Sequence, residues 1–75
     1  MPRMPRVTGA EIMRALRALG WIVAAQHGSH VQLKHPDPPG RVTIPNHAGK
    51  TIGPRLLASI LAQAGLSVEE FRSAL

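Results

Sequence analysis

Between His30 and Ile44 the chain sets apolar residues two apart, Val31 and Leu33, then Val42 and Ile44, with His30, Gln32, Lys34, Arg41 and Thr43 in the alternate phase. A period of two marks strands with one buried face. It also fixes their register, because a slip of one residue would exchange the two faces. The stretch before it runs His27-Gly28-Ser29-His30, and Gly-Ser is a dipeptide that closes a two-residue hairpin. Trp21 to Gln26 and His30 to His35 are therefore predicted to pair, with His27 and His30 as cross-strand partners roughly 5 Å apart at Cβ. Arg41 to Ile44 is a third strand, set off by the rigid loop Pro36-Asp37-Pro38-Pro39-Gly40. Such a sheet is apolar on one side and polar and cationic on the other.

Helices must cover the apolar side. In Thr8-Gly9-Ala10-Glu11 a Thr hydroxyl and a Glu carboxylate can satisfy each other's free backbone N–H groups at a helix start. Ile12, Leu16 and Leu19 follow at helical spacing, Arg14 and Arg17 fall on the wetter side, and Gly20 suits the left-handed residue that ends a helix. Gly53-Pro54 opens a second helix with the stripe Leu56, Leu57, Ile60, Leu61 and Ala64, closed by Gly65. Ser67 and Glu70 repeat the capping pattern before Phe71. The order α-β-β-β-α with a short C-terminal helix predicts an α+β fold of two layers, helices on one sheet face and the other face open. No repeat or linker divides the chain, so residues 1–75 read as a single domain, with residues 1–6 as a flexible lead.

A 75-residue domain buries only about 60 to 65% of its unfolded surface. That leaves little core for a cofactor or deep cavity, so no cofactor is expected and chemistry belongs on an open surface. The absence of cysteine removes disulfides and thiolate metal sites and fits the cytoplasm. MPRMPR at residues 1–6 leads into no apolar core of signal-peptide length, and no run approaches a membrane span. Nine Lys and Arg against four Asp and Glu give a formal charge of +5, which makes nucleic acid the first partner to consider.

Metal-assisted chemistry is poorly supplied. Glu11 and Glu70 are committed to caps, Asp37 lies in the Pro-rich loop, His30 and His35 face opposite sides of one strand, and His47 follows another strand. No metal site is expected. The open face can instead offer imidazole chemistry on RNA, where a histidine takes the proton of a ribose 2′-OH or protonates the leaving 5′-oxygen. Lys34 and Arg41 could neutralise the phosphate as charge builds on it. Taken alone, His27 and His30 read more simply as exposed hairpin residues. Trp21 is expected to pack at the core margin rather than stack on a base. His47 either approaches the open face or sits in a turn fixed by Pro45 and Gly49. Arg3, Arg6, Arg14 and Arg17 either extend an RNA footprint or solvate a helix and a terminus, whereas Lys50 and Arg55, near the start of the second helix, are better placed for phosphate.

Four short segments add to this. Gly20-Trp21, Gly28-Ser29-His30, the PxHxG pattern Pro45-Asn46-His47-Ala48-Gly49 and the stretch SILAQAGLSVEEF at Ser59 to Phe71 together resemble the HicA family of small bacterial mRNA interferase toxins, over Val7 to Phe71. The resemblance implies a fold like the double-stranded RNA-binding domain. It also implies a metal-independent endoribonuclease toxin of a type II toxin–antitoxin system, with a catalytic histidine that matches His30. It implies two partners, mRNA and a HicB-type antitoxin. The expected RNA-binding residues are His27, Gly28, Ser29, Gln32, Lys34, Arg41, His47 and Lys50. One departure stands out: the residues before Gly-Ser-His are often Arg- or Lys-rich in that family, and here they read Ala24-Ala25-Gln26-His27. His27 is thus expected to replace a phosphate-binding cation. The alternative from another class is a small RNA-binding module of the same layered fold that cuts nothing.

Overall fold

The computed structural model describes residues 4–37 and 39–75. Thr8 starts the first helix, α1 (Gly9–Ala18), with both halves of the capping box in place. The Glu11 carboxylate accepts from the Thr8 N–H at 2.9 Å, and the Glu11 N–H donates to the Thr8 hydroxyl at 3.3 Å. The helix ends on Gly20 at φ 98°, where the Trp21 N–H reaches back to the Leu16 carbonyl and the Gly20 N–H to that of Arg17. This left-handed closure satisfies carbonyls that have no partner within the helix. It also delivers Trp21 to the core, where it is buried as expected.

Strands β1 (Ile22–His27), β2 (His30–Pro36) and β3 (Pro39–Pro45) form an antiparallel sheet in that order. Val31, Leu33, Val42 and Ile44 are buried, while His30, Lys34, Arg41 and Thr43 are exposed, so the alternation sorts the two faces as the sequence predicts. The rigid loop expected over residues 36–40 is shorter. Lys34 pairs with Arg41, His35 with Gly40 and Pro36 with Pro39, so both strands run into the proline segment and only two residues lie between them. Because β3 is an edge strand, a residue without an N–H can be tolerated there. Gly40 fits because a Cβ at that position would come 3.2 Å from the Trp21 ring.

Helices α2 (Pro54–Ala64) and α3 (Val68–Ala74) complete the covered side. Leu57, Ile60 and Leu61 of α2 join Ile12, Ala15 and Leu16 of α1, Leu33, Val42 and Ile44 of the sheet and Phe71 of α3 in one core cluster. Two residues read as part of the apolar stripes are exposed instead, Leu19 and Leu56. Leu19 is the cap residue of α1, beyond its last turn, and Leu56 falls at the margin of the arc centred on Leu57, Ile60 and Leu61. Of the terminus over residues 1–6, residues 1–3, including Arg3, lie outside the described residues, and Met4 packs against the core cluster. Among the described residues no helix is long and apolar enough to cross a membrane, and no buried side chain is polar or charged.

The caps predict an acid sensitivity. Hydrogen bonds from the backbone and hydroxyl of Thr8 hold the Glu11 carboxyl below its ordinary value of 4.5, and Ser67 does the same for Glu70. Since the folded values are depressed, this contribution is complete above pH 4.5 and is lost as pH falls through the folded values. Thermal melts from pH 7 downwards are expected to show a falling limb in that window. Glu11→Gln with Glu70→Gln is expected to flatten the limb, and Thr8→Ala to cost about 1 kcal/mol near neutral pH.

Candidate nucleic-acid interface

The hairpin that joins β1 to β2 builds the site. Gly28 has φ 61°, the positive value that the first central residue of a II′-type turn needs, and Ser29 completes the two-residue loop. His27 and His30 therefore face each other as register partners, both exposed and both on the uncovered face. Nothing lies within 4 Å of a Cβ added at Gly28, so backbone conformation and not space requires glycine there.

Two hydrogen bonds clamp the turn. The Gln26 side-chain amide donates to the Gly28 carbonyl at 3.1 Å, and the Asn46 backbone N–H donates to the Ser29 carbonyl at 2.7 Å. Asn46 follows β3, whose end is pressed against the first turn of α1. A Cβ on Gly9 would lie 2.6 Å from the Pro45 carbonyl oxygen and 2.9 Å from the Asn46 Cα. A line of contacts thus runs from the start of α1 through the end of β3 to the histidine hairpin. Gly9, Gln26 and Asn46 have no part in the sequence-based site. The one trace of it is a glycine directly after a helix cap, where almost any other residue makes a better helix former.

His47 opens the turn after β3. The Lys50 N–H donates to its carbonyl at 3.0 Å, and Gly49 supplies φ 74°. His47 and Lys50, both exposed, line a shallow depression of about 260 Å³ with Pro45. Pro45 is the register partner of His30, so this depression, which Ile52 and Leu56 also line, begins at the histidine end of the sheet, and His47 sits in the turn expected of it. Lys34 and Arg41 are register partners at the other end, where they border a shallow depression of about 420 Å³. Four residues along an extended strand place Lys34 roughly 13 Å from His30. Half-buried Gln32, paired with Ala25 and Thr43, lies between. The face is therefore a strip with imidazoles at one end and cations at the other.

His35 belongs to the opposite side. Its Nε2 lies 3.2 Å from the Leu19 carbonyl, its Nδ1 accepts from the Asp37 N–H at 3.1 Å, and its ring stands edge-on to Trp21 at 5.3 Å. These partners assign the proton to Nε2 and give the residue a packing role. Among the described residues no three of His, Asp and Glu converge as metal ligands do.

If Gly9 sets the position of the hairpin through Pro45 and Asn46, Gly9→Ala should destabilise despite its better helix propensity. Overpacking of this kind costs about 1 to 3 kcal/mol, against roughly 1 kcal/mol of propensity in favour of alanine. A lowered melting temperature, with amide shifts at Ser29, His30 and Asn46, is the expected outcome. An unchanged or higher melting temperature would remove this contact from the account.

The sequence model of the family described as HicA toxin of bacterial toxin–antitoxin matches residues 9–66, more than half of the chain. No curated protein matches it closely enough to count as a relative.

Proposed function

The chain belongs to the family of HicA toxins of bacterial toxin–antitoxin systems, and from that premise we propose that it is an mRNA-cleaving endoribonuclease in which His30 is the general acid or base. The observation that carries this reading is the place of His30. It is exposed on the open sheet face, with His27 directly across the hairpin. RNA supplies its own nucleophile, so the protein needs only to move protons and hold phosphate. The 2′-oxygen attacks the adjacent phosphorus as its proton leaves, the bond to the 5′-oxygen breaks as that oxygen is protonated, and a 2′,3′-cyclic phosphate remains. His30 serves one of these transfers, and His27 shares the same phosphate.

Lys34 of β2 and its β3 partner Arg41, roughly 13 Å along the sheet, take phosphates that flank the scissile one. Gln32 lies under the intervening nucleotide, and His47 and Lys50 extend the path past the end of β3. Gly28 and Ser29 give the strand a bare turn to pass over. The work is done in the cytoplasm, and a HicB-type antitoxin restrains it by covering His27, His30 and Lys34.

The deciding experiment is RNA cleavage by purified protein in the presence of chelator, wild type beside His30→Ala. Cleavage is expected to survive EDTA, spare DNA, and fall by about 10² to 10⁴ in the variant, the range for loss of one general acid or base. Unchanged cleavage by the variant overturns the mechanism, and binding without any cleavage makes the protein a non-catalytic RNA-binding module. Lys34→Ala and Arg41→Ala should each weaken RNA binding and reduce its salt dependence by roughly one phosphate contact.

Titrating the antitoxin into the cleavage assay should abolish activity in proportion to the toxin bound. Tight binding with undiminished cleavage would show that the histidine face is not what the antitoxin covers.

A further inference from the structure

The helical layer does not cover the whole sheet. α1 and α2 both lie against β3, which leaves β1 exposed along most of its length. Val23 is the register partner of inward-facing Leu33, yet it is 48% exposed. Between α1 and β1 runs a groove of about 410 Å³, with Val31 as its floor, Met13 and Val23 as apolar walls, and Gln26 at one end. Arg14 and Arg17 of α1 form its rim, and no carboxylate among the described residues lines it. Glu11, one turn earlier, has its carboxylate hydrogen-bonded by Thr8 and also feels the charge of Arg14, which leaves Arg17 as the stronger cation of the rim.

The two sheet edges are also treated differently. β3 carries Pro39, Arg41 and Pro45, residues that keep an edge from pairing with another chain. β1, with the sequence IVAAQH, carries no proline, lysine or arginine. Ile22, the partner of outward-facing Lys34, is 48% exposed, so an apolar surface wraps from the groove around β1 towards the face of His27 and His30.

We infer that this α1–β1 groove is a second docking surface, separate from the histidine face, for an amphipathic helix of the antitoxin with apolar residues on one side and acidic residues beside them. Charge selects this occupant, since Arg14 and Arg17 flank an apolar floor and favour carboxylates at the margin of an apolar segment. A second copy of the chain fits worse, because two-fold pairing about β1 would set the arginine rims against each other. RNA also fits worse, because Trp21 and Phe71 are both buried, no histidine lines the groove, and it offers bases no ring to stack on. A helix fits better than an added strand, because the irregularity between Val23 and Ala25 interrupts the β1 ladder. A partner anchored here can pass around Ile22 to the other face, so one antitoxin can grip the groove and cover His30.

The test compares wild type with Arg14→Glu/Arg17→Glu and with Val23→Asp, all at exposed positions. Antitoxin affinity is measured by calorimetry at two ionic strengths, RNA binding and cleavage are followed in parallel, and thermal melts check the fold. Each variant is expected to bind antitoxin at least about tenfold more weakly, the arginine pair with a flattened salt dependence, while Val23→Asp leaves RNA binding and cleavage nearly unchanged and the arginine pair, which lowers the net charge, loses clearly less affinity for RNA than for antitoxin. Undiminished antitoxin affinity overturns the inference. So does an equal loss of RNA binding, which would give the groove to RNA, and so does a wild-type dimer that Val23→Asp dissociates, which would give it to a second copy. Because the deciding readout is antitoxin affinity, it stands or falls independently of whether His30 cleaves RNA.

Discussion

The register of β1 against β2 is the constraint on which the remainder hangs. Gly28 and Ser29 leave no slack in the hairpin, so His27 must meet His30 and Gln26 must meet Val31. With that pairing set, Val31 and Leu33 point to the helices and His30 and Lys34 to solvent. A slip of one residue would bury the imidazole of His30 and expose two core side chains at once, a loss of roughly 1.5 to 3 kcal/mol for each. The core therefore enforces the position of His30, although His30 itself is exposed. That arrangement lets an exposed residue be held accurately by a protein this small.

The covered side has no polar side chain buried among the described residues, so it can supply packing but no chemistry. The division is carried into individual residues of the same type. His35 hydrogen-bonds through both ring nitrogens and lies against Trp21, while His27 and His30, on the same hairpin, have open surroundings. The alternation of the strand separates them: His30 and His35 are an odd number of residues apart and take opposite faces. Gly20 completes the inner role, because a Cβ there would come 2.9 Å from Nε2 of His35, so the end of α1 and the ring of His35 are fitted to each other.

The elements and the two faces were legible in the sequence because each has a local cause. The Thr8 and Ser67 boxes, the glycines at positions 20 and 65, and the two-residue spacing of Val31, Leu33, Val42 and Ile44 act within a few residues of chain. What was not legible depends on distant parts of the chain coming together. That Pro39 and Gly40 continue a strand follows from β3 being an edge and from Trp21 occupying the space beside Gly40. That Gly9 touches Pro45 and Asn46 follows from the docking of α1 on β3, 36 residues away at Pro45. The cation pair was legible as a cation pair. Its separation from the imidazoles was readable from strand geometry as well, since four residues of extended chain span roughly 13 Å.

A strip-like face of this kind shifts much of the burden of alignment to the substrate. No side chain beside His30 hydrogen-bonds its ring among the described residues, so no such bond fixes the ring's orientation, and on the proposed mechanism the bound strand itself must bring the 2′-oxygen and the phosphate into line. The proposed contacts at the two ends, Lys34 and Arg41 on one side and His47 and Lys50 on the other, would do this by fixing the backbone of the strand at points that flank His30, much as a rod is oriented by holding both its ends. On the proposed reading such a face takes a flexible RNA strand lying flat along it, and its openness is also what makes it easy to block. A partner needs only to lie over the strip, and a second hold on the β1 side would keep it there while leaving the histidines chemically untouched.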